Sequence, residues 1–169
     1  MKLTLRDPFD ITVDTFWRDV FFNWEFQERL YKEALSCVTV ELLEESEIVP
    51  GARTRRLAFT QPIEAPAPVR KLFGDATRME ERGRFDPQAK RWIFEMVPER
   101  MADKIRITGE TWVEPVGETR LERVCALDFS VHIFGIGSLV EKFMGSSTVD
   151  SYAKQTRFTR AFIEEKGLR

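Results

Sequence analysis

Apolar residues recur along this chain at two spacings, and the change from one to the other divides it into elements. Residues 2–10 alternate weakly and predict a first strand, which Pro8 places at a sheet edge or cuts short. Val13, Phe16, Trp17, Val20 and Phe21 then repeat at three and four behind Thr12, a good N-cap, with Asp14 in the first turn. That spacing predicts an amphipathic helix over 13–22. Asn23 caps a second helix whose apolar positions are Trp24, Leu30 and Leu35. Beyond Ser36 the period falls to two. Cys37-Val-Thr-Val-Glu-Leu-Leu-Glu is β-branched and alternating, Pro50-Gly51 marks a turn, and residues 54–60 form strand three. Pro66 and Pro68 precede a short pattern of Val69, Leu72 and Phe73, which predicts a loop with one or two helical turns. Two hairpins follow, 79–85 with 91–97 and 105–113 with 120–133, before a long helical segment to Gly167. The order predicts one α+β domain: a curved antiparallel sheet of about six or seven strands, two short helices after strand one, and a long C-terminal helix to cover the apolar face.

Counting by twos along the strands assigns an inward face. Leu57, Phe59, Phe85, Trp92, Phe94, Met96, Ile105, Ile107, Leu127, Phe129, Val131 and Ile133 fall on it. So do Glu81, Gly83, Thr111 and Arg123. A buried carboxylate or guanidinium needs a partner. Three readings stay open: Glu81 and Arg123 pair with each other, they hold a ligand's polar head, or the register is displaced. On the last helix, Ile136, Val140, Phe143 and Met144 form one end of an apolar stripe and Phe158 and Phe162 the other, with Ser147, Ser151 and Gln155 between. Small polar residues in a core-facing stripe leave volume for a guest. Alternatively, Gly145-Ser-Ser-Thr breaks the helix and Ser147 caps a new one. The ligand-lining candidates are Phe59, Glu81, Phe94, Met96, Thr111, Arg123, Leu127 and Phe129 from the strands, with Phe143, Met144, Ser147, Ser151, Gln155 and Phe158 from the helix. Met101, apolar in the polar stretch 98–104, marks a candidate mouth.

Composition narrows the function classes. Twenty-six basic and 28 acidic residues are spread along the chain for a net charge of -2, so no electropositive footprint for nucleic acid exists. Glu44, Glu45 and Glu47 read as a solvated face. Cys37 and Cys125 lie in apolar, strand-like runs without metal-ligand spacing and read as buried thiols in a reducing compartment, with a disulfide between neighbouring strands the lesser alternative. His132 is the only histidine; it counts onto the solvent side of strand seven, and no catalytic residue, metal or cofactor is assigned. The start lacks a signal-peptide apolar region and no run spans a membrane, which predicts a soluble cytoplasmic protein. Fourteen Phe and four Trp must fill a core, line a pocket, or both.

Two stretches carry a resemblance. Phe134-Gly-Ile-Gly-Ser-Leu-Val-Glu-Lys142 is similar to the Gly-x-Gly-x-x-(Val/Ile)-Glu-Lys start of the last helix in the START-like (SRPBCC) superfamily, and Pro66-Ala-Pro68 also fits. Locally, Gly135 and Gly137 allow a tight strand-to-helix turn and Ser138-Leu-Val-Glu141 reads as a capping box. Over its whole length the chain resembles an uncharacterised bacterial family of polyketide-cyclase-like and lipid-binding-like proteins. The resemblance implies a helix-grip fold with a cavity for a hydrophobic small molecule, lipid or sterol-like, between sheet and helix. Binding or transport is the leading expectation, with transient membrane contact compatible with it. A cyclase- or hydratase-type enzyme, or an interaction module with a collapsed cavity, are the alternatives.

Overall fold

A computed structural model describes residues 1–168. Seven strands form one antiparallel sheet: β1 (Lys2–Phe9), β2 (Thr39–Val49), β3 (Ala52–Pro62), β4 (Ala76–Asp86), β5 (Arg91–Pro98), β6 (Ile105–Pro115) and β7 (Leu121–Val131). Their spatial order is β1-β7-β6-β5-β4-β3-β2. The first strand is thus an edge, where Pro8 has no central ladder to interrupt. The whole is the helix-grip arrangement. Among the described residues no helix is long and apolar enough to cross a membrane.

The helices follow their caps. Thr12 accepts a hydrogen bond from the Thr15 amide, and Asn23 accepts one from Phe26. Neither of these helices stays α-helical. The first, α1, opens at Val13–Thr15 and continues π-wound through Phe16–Phe21; the second, α2, runs Trp24–Arg29 and is π-wound over Leu30–Ala34. The wider winding is closed by Phe22 N–H to Trp17 O at 3.0 Å and Leu35 N–H to Leu30 O at 3.1 Å. Pro66 leads the short α3, Ala67–Phe73. The last helix, α4, is continuous over 29 residues, Gly137–Glu165. Of the two readings open at Gly145, the break does not occur and the continuous helix does. That glycine is buried, and the Met1 side chain fills the space where a Cβ would stand. Ser138 does not cap the helix either, because α4 starts one residue earlier and Ile136 occupies the cap without a side-chain bond. Gly135, at φ +79°, makes the left-handed turn that aims the helix back over the sheet.

The ladder registers place whole rows on the inner face, since directly paired residues share a side. One row runs Leu57, Glu81, Met96, Ile107, Phe129 across β3 to β7; the next runs Arg55, Gly83, Phe94, Gly109, Leu127. The expected inward set is buried at Leu57, Phe59, Trp92, Phe94, Ile105, Ile107, Leu127 and Phe129. Strand seven ends earlier than the alternation implies, so His132 lies just past it, exposed, donating its amide to Lys104 O at 2.8 Å. Cys37 precedes β2 rather than lying within it, and both cysteines are free and buried. In backbone terms α4 packs on β7, β1 and the Leu30–Ala34 turn of α2, which sets it over one end of the sheet.

Gly83 provides a flat seat for an indole: a Cβ there would fall inside the Trp92 ring system. Gly83→Ala is expected to lower stability by about 1–3 kcal/mol through this overlap. Urea unfolding measures it, and an unchanged midpoint would mean that the indole shifts freely.

Candidate functional site

Between the inner face and α4 lies a cavity of about 640 Å³. That is within the range of small-molecule sites and far above the roughly 30 Å³ of one water. Phe59, Glu81, Phe94, Met96, Thr111, Arg123, Leu127 and Phe129 all line it from the sheet, and Phe143, Met144, Ser147, Ser151 and Gln155 line it from α4. Phe158 does not. Its ring stacks on Phe162 and tilts against Phe26, with the Arg29 guanidinium 5.6 Å above, so it closes the far end of the helix. The unbroken helix keeps Ser147, Ser151 and Gln155 on the lining side.

Exposed lining residues mark the mouth: Ser36 after α2, Pro62 and Glu64 at the end of β3, and Ser146, Asp150 and Lys154 along α4. The stretch 98–104 is not the mouth. Met101 takes φ +62° and packs against the core, and of that stretch only buried Pro98 reaches the cavity. Phe21, Phe26, Gln27, Leu30 and Tyr31 of α1 and α2 also line it, as does Met79. The sequence reading missed these because amphipathic helices after an edge strand look like a cover for the core, not a wall of a void.

Two largely buried ion pairs stand at the cavity wall, with Arg55, Glu81 and Arg123 on the lining and Asp7 behind it. Glu81 and Arg123 both face inward, as the period-two count placed them, but they do not pair with each other. Arg55 Nη2 donates to Glu81 Oε1 at 3.1 Å, with the two side chains only 4% and 12% exposed. Arg55 Nη1 donates to Phe21 O at 3.2 Å, and its guanidinium lies 4.9 Å over Trp92 and 5.2 Å over Phe21. Arg123 Nη2 donates to Asp7 Oδ2 at 2.7 Å, while the Thr156 hydroxyl donates to Asp7 Oδ1 at 2.6 Å. Arg55 shares the parity of Leu57 and Phe59, so its inward position was available to the same count. Asp7 was hidden because Asp-Pro read as a strand ending.

Beside Arg123 the Tyr152 hydroxyl donates to Cys125 Sγ at 2.7 Å. Burial holds the thiols and phenols here in their protonated forms. It pushes the Cys37 thiol up to about 11 and raises Cys125, where the Tyr152 hydrogen bond works in the opposite sense. It also holds the Tyr31 and Tyr152 phenols well above their ordinary value. Among the described residues no cluster of three or more potential ligands is arranged to hold a metal ion.

The profile of the family described as "Protein of unknown function (DUF2505)" matches residues 5–163. No curated protein matches the chain. Among solved structures, the Zhui aromatase/cyclase of Streptomyces sp. R1128 superposes with a TM-score of 0.72 at 12% identity, covering 98% of this chain and 94% of its own. The protein TTHA0849 of Thermus thermophilus gives 0.66 at 17% identity, over 95% and 98%. A START superfamily protein of Mycobacterium smegmatis gives 0.64 at 12%, over 96% and 98%. Identities this low establish a shared fold.

The buried thiols and phenols generate a pH dependence. Their folded-state values are raised, so between the unfolded thiol value near 8.5 and the folded values the native state holds protons that the unfolded chain releases. Stability is therefore expected to be level up to about pH 8.5 and to fall as pH rises toward 11. Urea midpoints from pH 7 to 11 check this; a level midpoint throughout would contradict it.

Proposed function

The chain belongs to the DUF2505 family and carries a START-like fold, and on that footing we propose that it binds a hydrophobic small molecule, lipid- or sterol-like, in the cavity beneath α4. The observation that carries the reading is the void itself, walled by Phe94, Met96, Leu127, Phe129 and Phe143 yet open at a polar rim. Removal of apolar ligand surface from water supplies about 25 cal/mol per Å², and a few polar groups orient the guest. Carrying such a molecule between sites is an activity that a void opening at a polar rim supports.

A cyclase- or hydratase-type reaction in the same cavity is the second reading. It draws support from the largely buried carboxylate of Glu81 and from the Streptomyces neighbour, an aromatase/cyclase. The binding reading is preferred because the one carboxylate on the inner wall of the sheet, Glu81, is already engaged by the Arg55 guanidinium at 3.1 Å. A collapsed interaction module would lack the void.

Native mass spectrometry of the purified protein, with thermal melts in the presence of oleic acid, cholesterol and phosphatidylcholine, tests the proposal. A co-purifying adduct is expected, or a stabilisation of about 2.7 kcal/mol at a hundredfold excess over Kd, which is roughly 5–11 °C for a chain of this size. Ser147→Phe projects a ring into the void and is expected to abolish uptake while leaving the melting temperature unchanged or higher. Absence of any adduct or shift would defeat the proposal, and unfolding of Ser147→Phe would point to a packed core instead.

A further inference from the structure

We infer that the guest of this cavity is a facial amphiphile: a rigid, neutral body of sterol size with one apolar face and hydroxyl groups along the other, the hydroxylated face turned to the helices. The inference rests on the binding reading above and adds the chemical class of the guest. It follows from the unequal walls of the void. On the strand side, Met96, Ile107 and Phe129 form one directly paired apolar row. In the next row Phe94 and Leu127 close over Gly109, where a Cβ would strike both, and so make a flat apolar floor. On the helix side, Ser147, Ser151 and Gln155 line the cavity at every fourth residue of the unbroken α4. At 1.5 Å per residue they stand ~6 Å apart along the axis, ~12 Å from first to last. Thr156 and Thr159 bond back to the carbonyls of Tyr152 and Gln155, but among the described residues the side chains of Ser147, Ser151 and Gln155 take no partner.

Buried groups beside this strip point to a guest rather than to loose packing. Gln27 and Tyr31 of α2 line the cavity at only 5% and 8% exposed. The Gln27 carboxamide is fixed by Nε2 donating to Phe21 O at 2.7 Å, which leaves Oε1 without a donor. The Tyr31 ring packs on Phe59 with centroids 4.6 Å apart, and its hydroxyl has no partner among the described residues. Neither oxygen is shut in by protein atoms, so each is left for a guest. Thr111, on β6, carries polar lining onto the sheet. A wholly apolar guest would gain on the strand side but strip water from these oxygens without replacing it. A carboxylate could not donate to Gln27 Oε1, an acceptor only. A hydroxyl serves every group on the strip, since it donates to Gln27 and either donates to or accepts from the serines and Tyr31. An apolar face is still required opposite, because the floor offers no partner to a polar one.

Displacement of fluorescent 1-aminoanthracene by methyl lithocholate, methyl deoxycholate and methyl cholate tests this. The three share one neutral steroid skeleton and carry one, two and three hydroxyls on a single face. Each added hydroxyl is expected to tighten binding about three- to tenfold, the worth of one hydrogen bond. A uniformly apolar pocket gives the opposite order, because each unmatched hydroxyl loses its water. Ser147→Ala, Ser151→Ala and Gln155→Leu combined should flatten or invert the series. These changes remove no charge and suit a helix, and a cooperative thermal melt shows that the variant folds. Equal affinities, a preference for methyl lithocholate, displacement by none of the three, or an unchanged series in the folded variant overturns the inference, while 1-aminoanthracene binding leaves the cavity reading in place. Failure of 1-aminoanthracene itself to bind, together with all three esters, overturns both.

Discussion

A helix is narrower than a sheet, and the rest of this structure follows from that mismatch. Seven strands at ~4.8 Å spacing span roughly 29 Å between the outer two, while a helix with its side chains is about 10–12 Å across. One helix cannot cover the inner face. The long α4 packs on β1, β7 and the end of α2, and the remaining width is left to α1, α2 and the rings they carry. Phe16, Trp17, Val20 and Phe26 fill what they can reach. The void lies between these two roofs and the sheet, bounded by α1, α2, the middle of α4 and the rows of β3 to β7.

The side chains on each side of that void are matched to it. On α4 the stretch facing it carries Ser147, Ser151 and Gln155, which a dry, fully packed interface would disfavour. On the sheet, apolar rows are interrupted at opposite ends by Arg55 with Glu81 and by Arg123 with Asp7. Buried charges survive only when paired and hydrogen-bonded, and both pairs meet that condition with aromatic faces packed on the guanidiniums. The π-wound turns of α1 and α2 belong to the same arrangement, since they bring Phe21 and Tyr31 onto the lining.

Much of this was legible in the alternation of residues. Period two placed Glu81, Thr111 and Arg123 inward together with the apolar rows, because a strand's two faces are fixed by geometry alone. Partnership was not legible: Asp7 and Arg123 are 116 residues apart in sequence, and only the pairing of β1 with β7 brings them together. Gly145 shows the same limit. As a local signal it favours a break, but the side chain it admits comes from Met1, just ahead of β1, and that packing outweighs its low helix propensity. Phe158 sits on the predicted stripe yet misses the cavity because Phe26 and Phe162 claim its ring. The π-winding left no mark in the spacing, since Phe16, Trp17, Val20 and Phe21 satisfy either period.

The ion pairs also bear on how the empty protein behaves. Their desolvation is incurred when the chain folds, before any guest arrives, and replacing such pairs with well-packed hydrophobic residues commonly raises stability by about 1–4 kcal/mol in other proteins. Here that replacement would also remove the polar landmarks and let the walls close. The buried pairs thus trade some conformational stability for a void whose polar groups are already oriented when the chain has folded.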